Sequence, residues 1–444
     1  MQTLLINCFL LLGALLHTEA LTVVHGPAEA HGSQWGQFGP AGSVSAGVNI
    51  HFTRGHEKDL DMIAAAGFRF IRTDLVWQDI EYSKGSYDWS AYDELTENLE
   101  KRGLRALFIL DYSNSLYEDT VTSKDPITAE VIRDIAAPAR EESIRAFAIW
   151  ARAAAIRYKD KKVVWEIWNE PNISFWRPEA DVRAYVRLAK ATCMEMRSAV
   201  PGCNIIGPAT SQIPFPFLEN VMESGLLEYL DAVSVHPYRD YSLAPETVGA
   251  DYAKLREMIA RSAPAGRKDI PVISSEWGYA SCKGGLTPEK QAVNAVRMQL
   301  VNLLNGVPLS IWYDWKNDGE SPTNFEHNCG TVTFDLKPKP AYNALSVLNS
   351  KLGGLTFSHR METGSGDDYV LLFAGPGGVF RICAWTTGMP HDLKLELTVS
   401  GSPVINGYDG YGKDITVRSE VNGIVVTVGE MPQYIDLPCG VRFF

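Results

Sequence analysis

Two glutamates in this chain stand directly after apolar segments, where a carboxyl group can do chemistry. Glu170 follows Val163–Trp168 in the run VVWEIWNEPN, and Glu276 follows Pro271–Ser275 in the run PVISSEWGYA. Apolar, β-branched and aromatic segments of this length are typical of buried strands. A carboxyl group at the end of a buried strand has rigid support on one side and solvent on the other. An isolated glutamate is more often a solvated surface group, but the tryptophans around Glu170 favour the functional interpretation.

Two carboxyl groups with different protonation states suit the cleavage of a glycosidic bond. One carboxyl group donates its proton to the leaving oxygen, while the other is ionised and attacks or stabilises the anomeric carbon. In a pair that retains the anomeric configuration, the carboxyl groups lie roughly 5 to 5.5 Å apart. Arg72, in GFRFIRTDLVW, can keep Glu276 ionised by its charge and hydrogen bonds. The tryptophans around Glu170 favour the protonated form that an acid needs.

Four further residues are expected to support this chemistry. Asn169 is placed to hydrogen-bond a sugar hydroxyl next to the reacting carbon, a contact that matters when it strengthens in the transition state. Tyr238 can bond and orient Glu276. Trp312 offers an apolar face for a pyranose ring. Pro171 is expected to keep the preceding glutamate extended, so that strand geometry persists up to its carboxyl group.

Three candidate positions also have structural interpretations. In these interpretations Arg72 pairs with Asp74, and His236 is a hydrogen-bonded histidine of the core. Trp312 packs inside the fold, which leaves Trp315 to stack on the sugar. The sequence keeps these alternatives open.

Eight apolar segments between Ser43 and Tyr313 alternate with amphipathic stretches of helical period. The segments are Val44–Ile50, Phe68–Leu75, Arg105–Leu110, Val163–Trp168, Asn204–Gly207, Ala232–Val235, Pro271–Ser275 and Pro308–Trp312. Alternating strands and helices pair their strands in parallel through right-handed crossovers, and eight such units predict a (β/α)8 barrel. Functional residues of such a barrel lie at the carboxyl ends of its strands, and strands four and seven face each other. An open doubly wound sheet is the alternative, although no GxGxxG motif follows the first strand.

Three short motifs carry a resemblance to known enzymes. WNEPNISFW, Trp168–Trp176, is similar to the acid/base segment of glycoside hydrolase family 39, whereas SEWGY, Ser275–Tyr279, and HPY, His236–Tyr238, resemble family 5. Over residues 43–350 the chain resembles the clan of retaining glycoside hydrolases with (β/α)8 barrels. The resemblance implies Glu170 as acid/base and Glu276 as nucleophile. It implies a supporting, substrate-binding set of Arg72, Asn169, His236, Tyr238 and Trp312.

The character of the chain changes after the eighth apolar segment. Lys337–Gly354 has the pattern of a final helix, and residues 355–444 contain short β segments separated by Gly, Pro and Asp turns. This pattern predicts a small antiparallel β-sandwich. We therefore expect a catalytic domain over residues 21–354 and a sandwich domain over residues 355–444.

Residues 1–20, MQTLLINCFLLLGALLHTEA, have the apolar core and small final residue of a secretory signal peptide. Cleavage is expected after Ala20, with Ala30 as the alternative. Later apolar segments are too short to cross a bilayer. The mature protein is therefore expected to be secreted or periplasmic and to have no membrane contact.

Six cysteines follow this segment, an even number that suits an oxidising compartment. Nearest-neighbour pairing would join Cys193 to Cys203, Cys282 to Cys329 and Cys383 to Cys439. Free buried thiols are the alternative.

The composition excludes some partners and cofactors. A net charge of -12 argues against nucleic acid, because phosphate binding needs clustered Lys and Arg. The chain has no CxxC or HExxH motif and its nine histidines are scattered, so no zinc site is expected. Cleavage of a glycosidic bond by two carboxyl groups needs no metal or organic cofactor, and none is expected. The expected partner is an oligo- or polysaccharide, and the expected state is a monomer.

The segment Tyr313–Asn328 is long, polar and aromatic for a loop after a barrel strand. Such loops are often functional, so Asp314, Lys316, Asn317 or Glu326 is expected to help shape the sugar site. Two other functions stay open: a carbohydrate-binding protein that has lost catalysis, and a transglycosidase that passes the glycosyl group to a sugar.

Overall fold

A computed structural model describes residues 38, 42–124, 131–398, 405–420, 422–438 and 441–443 of the protein. Eight parallel strands close into a barrel in which the first strand pairs with both the second and the eighth. The strands are β1 (Ala46–Asn49), β2 (Phe70–Val76), β3 (Arg105–Asp111), β4 (Val164–Ile167), β5 (Asn204–Ser211), β6 (Ala232–His236), β7 (Val272–Trp277) and β8 (Ser310–Trp312). The predicted (β/α)8 barrel is confirmed, and because it is closed the open sheet is excluded.

A long helix separates each barrel strand from the next, and another follows the eighth. Short antiparallel strand pairs precede the second and third of these helices, Glu81–Ser83 with Ser86–Tyr87 and Thr120–Lys124 with Val131–Ile135. The helices are α1 (Glu57–Ala65), α2 (Ser90–Glu100), α3 (Glu141–Arg157), α4 (Val182–Ala199), α5 (Phe215–Glu223), α6 (Val248–Ser262), α7 (Pro288–Leu304) and α8 (Pro340–Leu352). Local sequence sets several of their starts. The side chain of Asp181 accepts hydrogen bonds from two amides in the first turn of α4, and that of Thr287 does the same for one amide of α7. Pro288 then occupies the first turn of α7, where its missing N–H costs nothing.

Strand β5 continues four residues beyond its predicted end at Gly207, to Ser211. Its fifth residue is Pro208, which has no N–H to donate to a neighbouring strand. The ladder between β5 and β6 contains a bulge at this point, because Ser234 lies opposite Pro208 whereas Val235 lies opposite Thr210. This bulge accommodates the proline, and the strand continues to the carboxyl end of the barrel.

The barrel interior is apolar at one end and polar at the other. Its apolar side chains form one cluster, made of Phe38, Phe70, Leu107, Val164, Ile206, Ala232, Ile273, Leu309 and Ile311. The carbonyl of Phe38 accepts a hydrogen bond of 2.8 Å from Oγ of Ser45, just before β1, so this apolar end is the amino-terminal one. Functional side chains are therefore left to the carboxyl ends of the strands.

After α8 the chain forms two antiparallel sheets, as predicted. The strands are β9 (Thr356–Arg360), β10 (Asp368–Gly375), β11 (Val379–Thr386), β12 (His391–Thr398), β13 (Gly407–Tyr408), β14 (Asp414–Ile415), β15 (Arg418–Glu420), β16 (Gly423–Val428), β17 (Gln433–Leu437) and β18 (Arg442–Phe443). Six of them form one sheet in the order β9-β10-β11-β17-β13-β14, and four form the other in the order β15-β16-β12-β18. The exact domain limits stay a prediction.

The six-stranded sheet is buried on both faces. In β10, Leu371 and Phe373 belong to the apolar cluster that surrounds the barrel, whereas Val370 and Leu372 belong to the cluster between the two sheets. Successive side chains of a strand point to opposite faces. The continuous apolar run in β10 therefore reflects two contacts, one with the barrel and one with the second sheet.

The predicted cysteine pairing is wrong for the two pairs that lie within the described residues. Cys193, Cys203, Cys282 and Cys329 are all free thiols. Burial raises the pKa of Cys193 to about 12 and that of Cys203 to about 11, so these thiols behave as small apolar side chains. Cys383 is a free, buried thiol, and its expected partner Cys439 lies outside the described residues. Within the described ranges, no helix is long and apolar enough to span a bilayer.

Candidate active site

Arg72 lies at the centre of a polar cluster at the carboxyl ends of the strands. Its buried guanidinium donates from Nε to Oε2 of Glu166 at 2.8 Å and from Nη1 to Oε2 of Glu276 at 2.6 Å. Burial alone would lower the pKa of Arg72, but the two carboxylates raise it, so the guanidinium stays charged. Glu166 and Glu276, and not Asp74, are thus its ion-pair partners among the described residues.

Three further side chains complete the surroundings of the guanidinium. Nη1 also donates to Oδ1 of Asn49 at 3.2 Å, and Nη2 donates to Oδ1 of Asn169 at 2.8 Å. Nη2 lies 3.2 Å from Nε2 of His236. Because a guanidinium can only donate, Nε2 of His236 accepts, so the hydrogen bonds place a ring proton on Nδ1, the nitrogen that faces Glu170.

Glu276, the last residue but one of β7, is held by two donors. Besides Nη1 of Arg72, the hydroxyl of Tyr238 donates to its Oε1 at 2.7 Å. Burial opposes ionisation of Glu276, but the neighbouring His236, the charge of Arg72 and these hydrogen bonds outweigh it, so the pKa of Glu276 lies below the usual range. Burial also raises the pKa of Tyr238 well above its usual value, so the hydroxyl keeps its proton and donates. The expected contacts of Glu276 are present.

Glu170 follows β4 in a backbone conformation that the sequence did not predict. Its φ is +48°, and that of Trp168 is +66°, so the extended geometry expected from Pro171 is wrong. The left-handed region is unfavourable for a residue with a Cβ and persists where surrounding contacts enforce it. The amide of Glu170 donates to the carbonyl of Ala209 on β5 at 2.9 Å, which fixes the turn.

The carboxyl group of Glu170 forms a hydrogen bond with a histidine. The sequence led us to expect only tryptophans around it. Its Oε1 lies 2.9 Å from Nδ1 of His236. Trp168 and Trp176 pack against each other behind it, with ring centroids 4.9 Å apart. Both indoles are buried, so they support the loop and do not line an open site.

The two glutamates approach each other across the barrel mouth. One carboxyl oxygen of Glu170, one of Glu276 and a ring nitrogen of His236 all lie within 4.8 Å of one another. The surroundings differ: Glu276 accepts hydrogen bonds from a guanidinium and a phenol, whereas Glu170 faces an imidazole. Such an arrangement can keep one carboxyl group ionised while the other exchanges a proton.

Asn169 is fixed at both ends of its amide. Its Oδ1 accepts from Arg72, and its Nδ2 lies 3.2 Å from the hydroxyl of Tyr112, to which it donates. Burial raises the pKa of Tyr112 well above its usual value. The structure thus brings together six of the seven residues that the sequence singled out, namely Arg72, Asn169, Glu170, His236, Tyr238 and Glu276.

Trp312 is the exception among the predicted residues. Its side chain is fully buried, it packs against Tyr279, and its Nε1 donates to the carbonyl of Cys329 at 3.2 Å. It offers no open face to a sugar, and neither does Trp315, which is buried and donates to Asp59. Both large rings fill the space between the barrel and its outer elements.

The open aromatic residue at this strand end is Tyr313. It is half-buried, and its amide donates to the carbonyl of Trp277 at 3.2 Å, next to Glu276. A Cβ on Gly278 would lie 1.8 Å from the Tyr313 carbonyl, so glycine is needed for this approach. The phenol hydroxyl donates to Oε2 of Glu326 at 3.2 Å.

The loop after β8 contributes a second ionisable pair at the rim. Nε2 of His51, just after β1, lies 3.2 Å from Oδ2 of the buried Asp314. Burial disfavours the charged imidazole, but the hydrogen bond and charge of Asp314 outweigh it and raise the pKa of His51 to about 9. Burial raises the pKa of Asp314 to about 6 even though His51 acts against it. Lys316 and Asn317, also expected here, instead contact the ring of Phe334 and Nζ of Lys339.

Two groups of side chains in the described part of the chain have the geometry to hold a metal ion: Glu170, His236 and Glu276, and His51, Asp314 and Asp318. In the first group, Arg72 donates to the same Glu276 oxygen that lies nearest to His236. Its positive charge would repel a cation there.

Sequence reasoning missed three residues of this cluster. Glu166 is fully buried on β4, and a charged residue inside the apolar run VVWEIW was the available signal, because buried charges need a partner. Asn49 is the last residue of β1, and functional residues of a barrel lie at the carboxyl ends of its strands, which was the available signal. Tyr112 follows β3 in the same way.

Comparisons with known proteins identify the family and the fold. The family model described as Cellulase (glycosyl hydrolase family 5) matches residues 39–319. A comparison with curated protein sequences gave no match.

Solved structures share the fold. A family 39 glycoside hydrolase from Bacteroides cellulosilyticus is 25% identical with a TM-score of 0.75, over 89% of this chain and 81% of that one. A GH39 β-xylosidase from Caulobacter crescentus is 17% identical with a TM-score of 0.64, over 89% and 96%. A GH30 endoxylanase from Clostridium papyrosolvens is 10% identical with a TM-score of 0.62, over 89% and 96%. With a family model that covers well over half of its length, the chain belongs to the cellulase family, glycosyl hydrolase family 5, and is a glycoside hydrolase.

Proposed function

We propose that this glycoside hydrolase cleaves O-glycosidic bonds of oligo- or polysaccharides with retention of configuration, with Glu276 as nucleophile and Glu170 as acid/base. The observation that carries the proposal is the approach of the two carboxyl groups, whose nearest oxygens lie within 4.8 Å. Retaining pairs are about 5 to 5.5 Å apart, whereas inverting pairs need roughly 6.5 to 9.5 Å to admit a water between them.

In the first step an oxygen of Glu276 forms a bond to the anomeric carbon while the bond from that carbon to the leaving oxygen breaks. Glu170 transfers its proton to the leaving oxygen, so the aglycone departs as an alcohol. Arg72 and Tyr238 keep Glu276 ionised until it reacts. The imidazole of His236 then stabilises the carboxylate that remains on Glu170 by donating from Nδ1.

In the second step Glu170 acts as the base. It takes a proton from water, the water oxygen attacks the anomeric carbon, and the bond to Glu276 breaks with its electron pair returning to the carboxylate. The reaction needs no change in oxidation state and regenerates both glutamates in their starting forms.

Substrate positioning is assigned to Asn169 and Tyr313. Hydrogen bonds to Arg72 and Tyr112 fix the side-chain amide of Asn169. In this position the amide can form a hydrogen bond with the sugar hydroxyl beside the anomeric carbon. Tyr313 takes the stacking role first expected of Trp312, because it is the half-exposed ring at the end of β8.

The substrate is proposed to be a β-linked chain of neutral sugars. Similar folds belong to enzymes named as a β-xylosidase, a glucosidase and an endoxylanase. A hydrolysis screen on the nitrophenyl β-glycosides of xylose, glucose and mannose, followed by the matching oligosaccharides and polysaccharides, identifies the preferred sugar.

Chemical rescue tests the two roles. Glu276→Ala should lower turnover of an activated aryl β-glycoside by at least about 10⁴-fold, and azide should restore product as the inverted glycosyl azide. Glu170→Ala should lower kcat by about 10² to 10⁴-fold and yield the retained azide instead.

The exposed Glu179, on the same loop as Glu170, provides the matched control. Glu179→Ala should keep wild-type turnover and form no glycosyl azide. A fully active Glu170→Gln enzyme, or the same azide anomer from both alanine variants, would rule the assignment out.

We further propose that the protein is exported, with residues 1–20 removed as a signal peptide, and acts as a monomer outside the cytoplasm. The apolar composition of residues 1–20 supports export. A relative of similar fold from Caulobacter crescentus is described as a monomeric β-xylosidase.

A further inference from the structure

A cleft of about 260 Å³ opens beside the catalytic cluster, at the carboxyl ends of β2, β3 and β4. We call it the Phe175 cleft; the residues that matter here are Gln78, Asp79, Tyr112, Asp134, Phe175 and Arg177. None of them bonds directly to the carboxyl groups of Glu170 or Glu276. The cleft is therefore separate from the reacting centre, although it adjoins it.

One wall of the cleft is an aromatic platform. Phe175 is 39% exposed, and its ring is nearly parallel to that of Tyr112, with an angle of 18° and a centroid distance of 6.0 Å. Single exposed apolar side chains are common and need no explanation. This ring differs because a second ring supports it from behind and because it faces a cavity. A flat, supported aromatic face suits the apolar face of a pyranose.

The facing walls carry planar polar groups. The side chain of Arg177 is 11% exposed, and its Nε lies 3.7 Å from Oδ2 of Asp134. Its Nε and Nη1 have no hydrogen-bond acceptor among the described residues. Buried donors normally find a partner. A small rotation would let this guanidinium donate to a hydroxyl of a sugar bound in the cleft. Gln78 uses its Oε1 to accept from the Ser115 amide, which leaves its NH2 group directed to other acceptors.

The platform connects directly to the reacting centre. The hydroxyl of Tyr112 accepts from Nδ2 of Asn169, whose Oδ1 accepts from Arg72. Phe175 stands five residues after Glu170 in the same loop. A sugar held over Asn169 is therefore one side chain away from the aromatic platform, so a linear chain can reach both places.

We propose that the Phe175 cleft is a subsite for a second, neutral sugar unit of the substrate chain, next to the unit that is cleaved; this rests on the proposed function. The occupant is neutral because Asp134 already faces the guanidinium of Arg177, which leaves the carboxylate of Asp79 as the excess charge of the wall, and this charge would repel a uronic acid. The enzyme thus discriminates oligosaccharides from single-sugar glycosides by stacking on Phe175.

A chain-length comparison tests the subsite. The probes are xylo-, cello- and mannotetraose and the nitrophenyl β-glycosides of the same three sugars. Phe175→Ala should lower kcat/KM on the hydrolysed tetrasaccharide about five- to tenfold, the loss expected for one stacking contact. Its kcat/KM on the aryl glycoside should stay within about twofold, and Phe175→Tyr should restore the tetrasaccharide rate.

Phe334→Ala is the matched control, because Phe334 is a comparably exposed phenylalanine, 50% accessible, that does not line the cleft. Phe334→Ala should change kcat/KM neither on the tetrasaccharide nor on the aryl glycoside. Equal losses on both substrates for Phe175→Ala would mean that the ring only supports Tyr112, and no loss would mean that no sugar binds there. Either result overturns the proposal.

Binding decides the question even if turnover fails. Calorimetric titration of the three tetrasaccharides into Glu276→Gln, with and without Phe175→Ala, should show Kd rising about five- to tenfold in the double variant. Equal affinities, or no binding of any of the three, would overturn the subsite. A wild-type enzyme that binds but hydrolyses none of the probes would contradict the proposed function alone.

Discussion

At the scale of single residues, the charge balance around Arg72 governs the site. The guanidinium lies between Glu166, which is fully buried behind it, and Glu276, which faces the barrel mouth. A buried ion pair contributes little net stability, but removal of one partner leaves an uncompensated charge. Glu166 binds Nε and thereby directs Nη1 to Glu276 and Nη2 to Asn169. Glu166 is therefore a positioning residue.

Glu166→Gln should retain the shape of this contact and remove its charge. We expect kcat/KM to fall about tenfold or more, because the guanidinium is less firmly oriented. The acidic limb of the pH profile should move to lower pH. The reason is that loss of a nearby negative charge favours the ionised form of Glu276, whose pKa is already lowered. The measurement is kcat/KM on an aryl glycoside across the acidic range.

Glu81→Gln is the control for this prediction. Glu81 is equally buried but bonds Trp77 and Tyr117, away from the catalytic cluster. Its replacement should reduce stability and leave the acidic limb in place. If the limb stays fixed in Glu166→Gln as well, Glu166 has only a structural role.

At the scale of elements, a buried carboxylate joins three parts of the chain. Glu246, in the turn before α6, accepts from Nε and Nη2 of Arg297 on α7 at 2.7 and 2.6 Å. Its Oε1 also accepts from Nε1 of Trp385 on β11 at 2.8 Å. The barrel and the six-stranded sheet therefore share a polar contact within an apolar interface.

Glu246→Ala should destabilise the protein by about 3 to 5 kcal/mol, because it leaves the buried Arg297 without a counter-charge. The double variant Glu246→Ala/Arg297→Met should recover much of the loss, since no buried charge remains. Urea titrations of both variants measure the difference.

Glu219 forms the comparison pair with Arg261, and both side chains are about half exposed. Glu219→Ala should change the free energy of unfolding by less than about 1 kcal/mol. A similarly small effect in Glu246→Ala would mean that the interface depends on apolar packing alone.

At the scale of the whole molecule, the proposed export and the state of the cysteines are linked. The four thiols of Cys193, Cys203, Cys282 and Cys329 are free although an exported chain meets an oxidising compartment. Three of them are buried, and burial raises the thiol pKa, which slows oxidation.

The exported protein should begin at Leu21 and carry these four free thiols. Intact mass after export gives the first residue, and alkylation in denaturant without reductant counts the thiols. Fewer than four labelled cysteines among these positions would show that disulfides form after all, and a retained amino-terminal segment would contradict export.

The sequence by itself determined the eight strands, the helices between them and the placement of Glu170 and Glu276 at strand ends. These follow from hydrophobic period and strand termination, which are properties of contiguous residues. Only the tertiary structure decided that Tyr313 and not Trp312 is open, that Glu166 holds Arg72, and that Glu170 adopts a left-handed backbone. Arg72 meets partners 94 and 204 residues away in sequence. Burial and pairing of this kind depend on how distant strands pack, so no local pattern contains them.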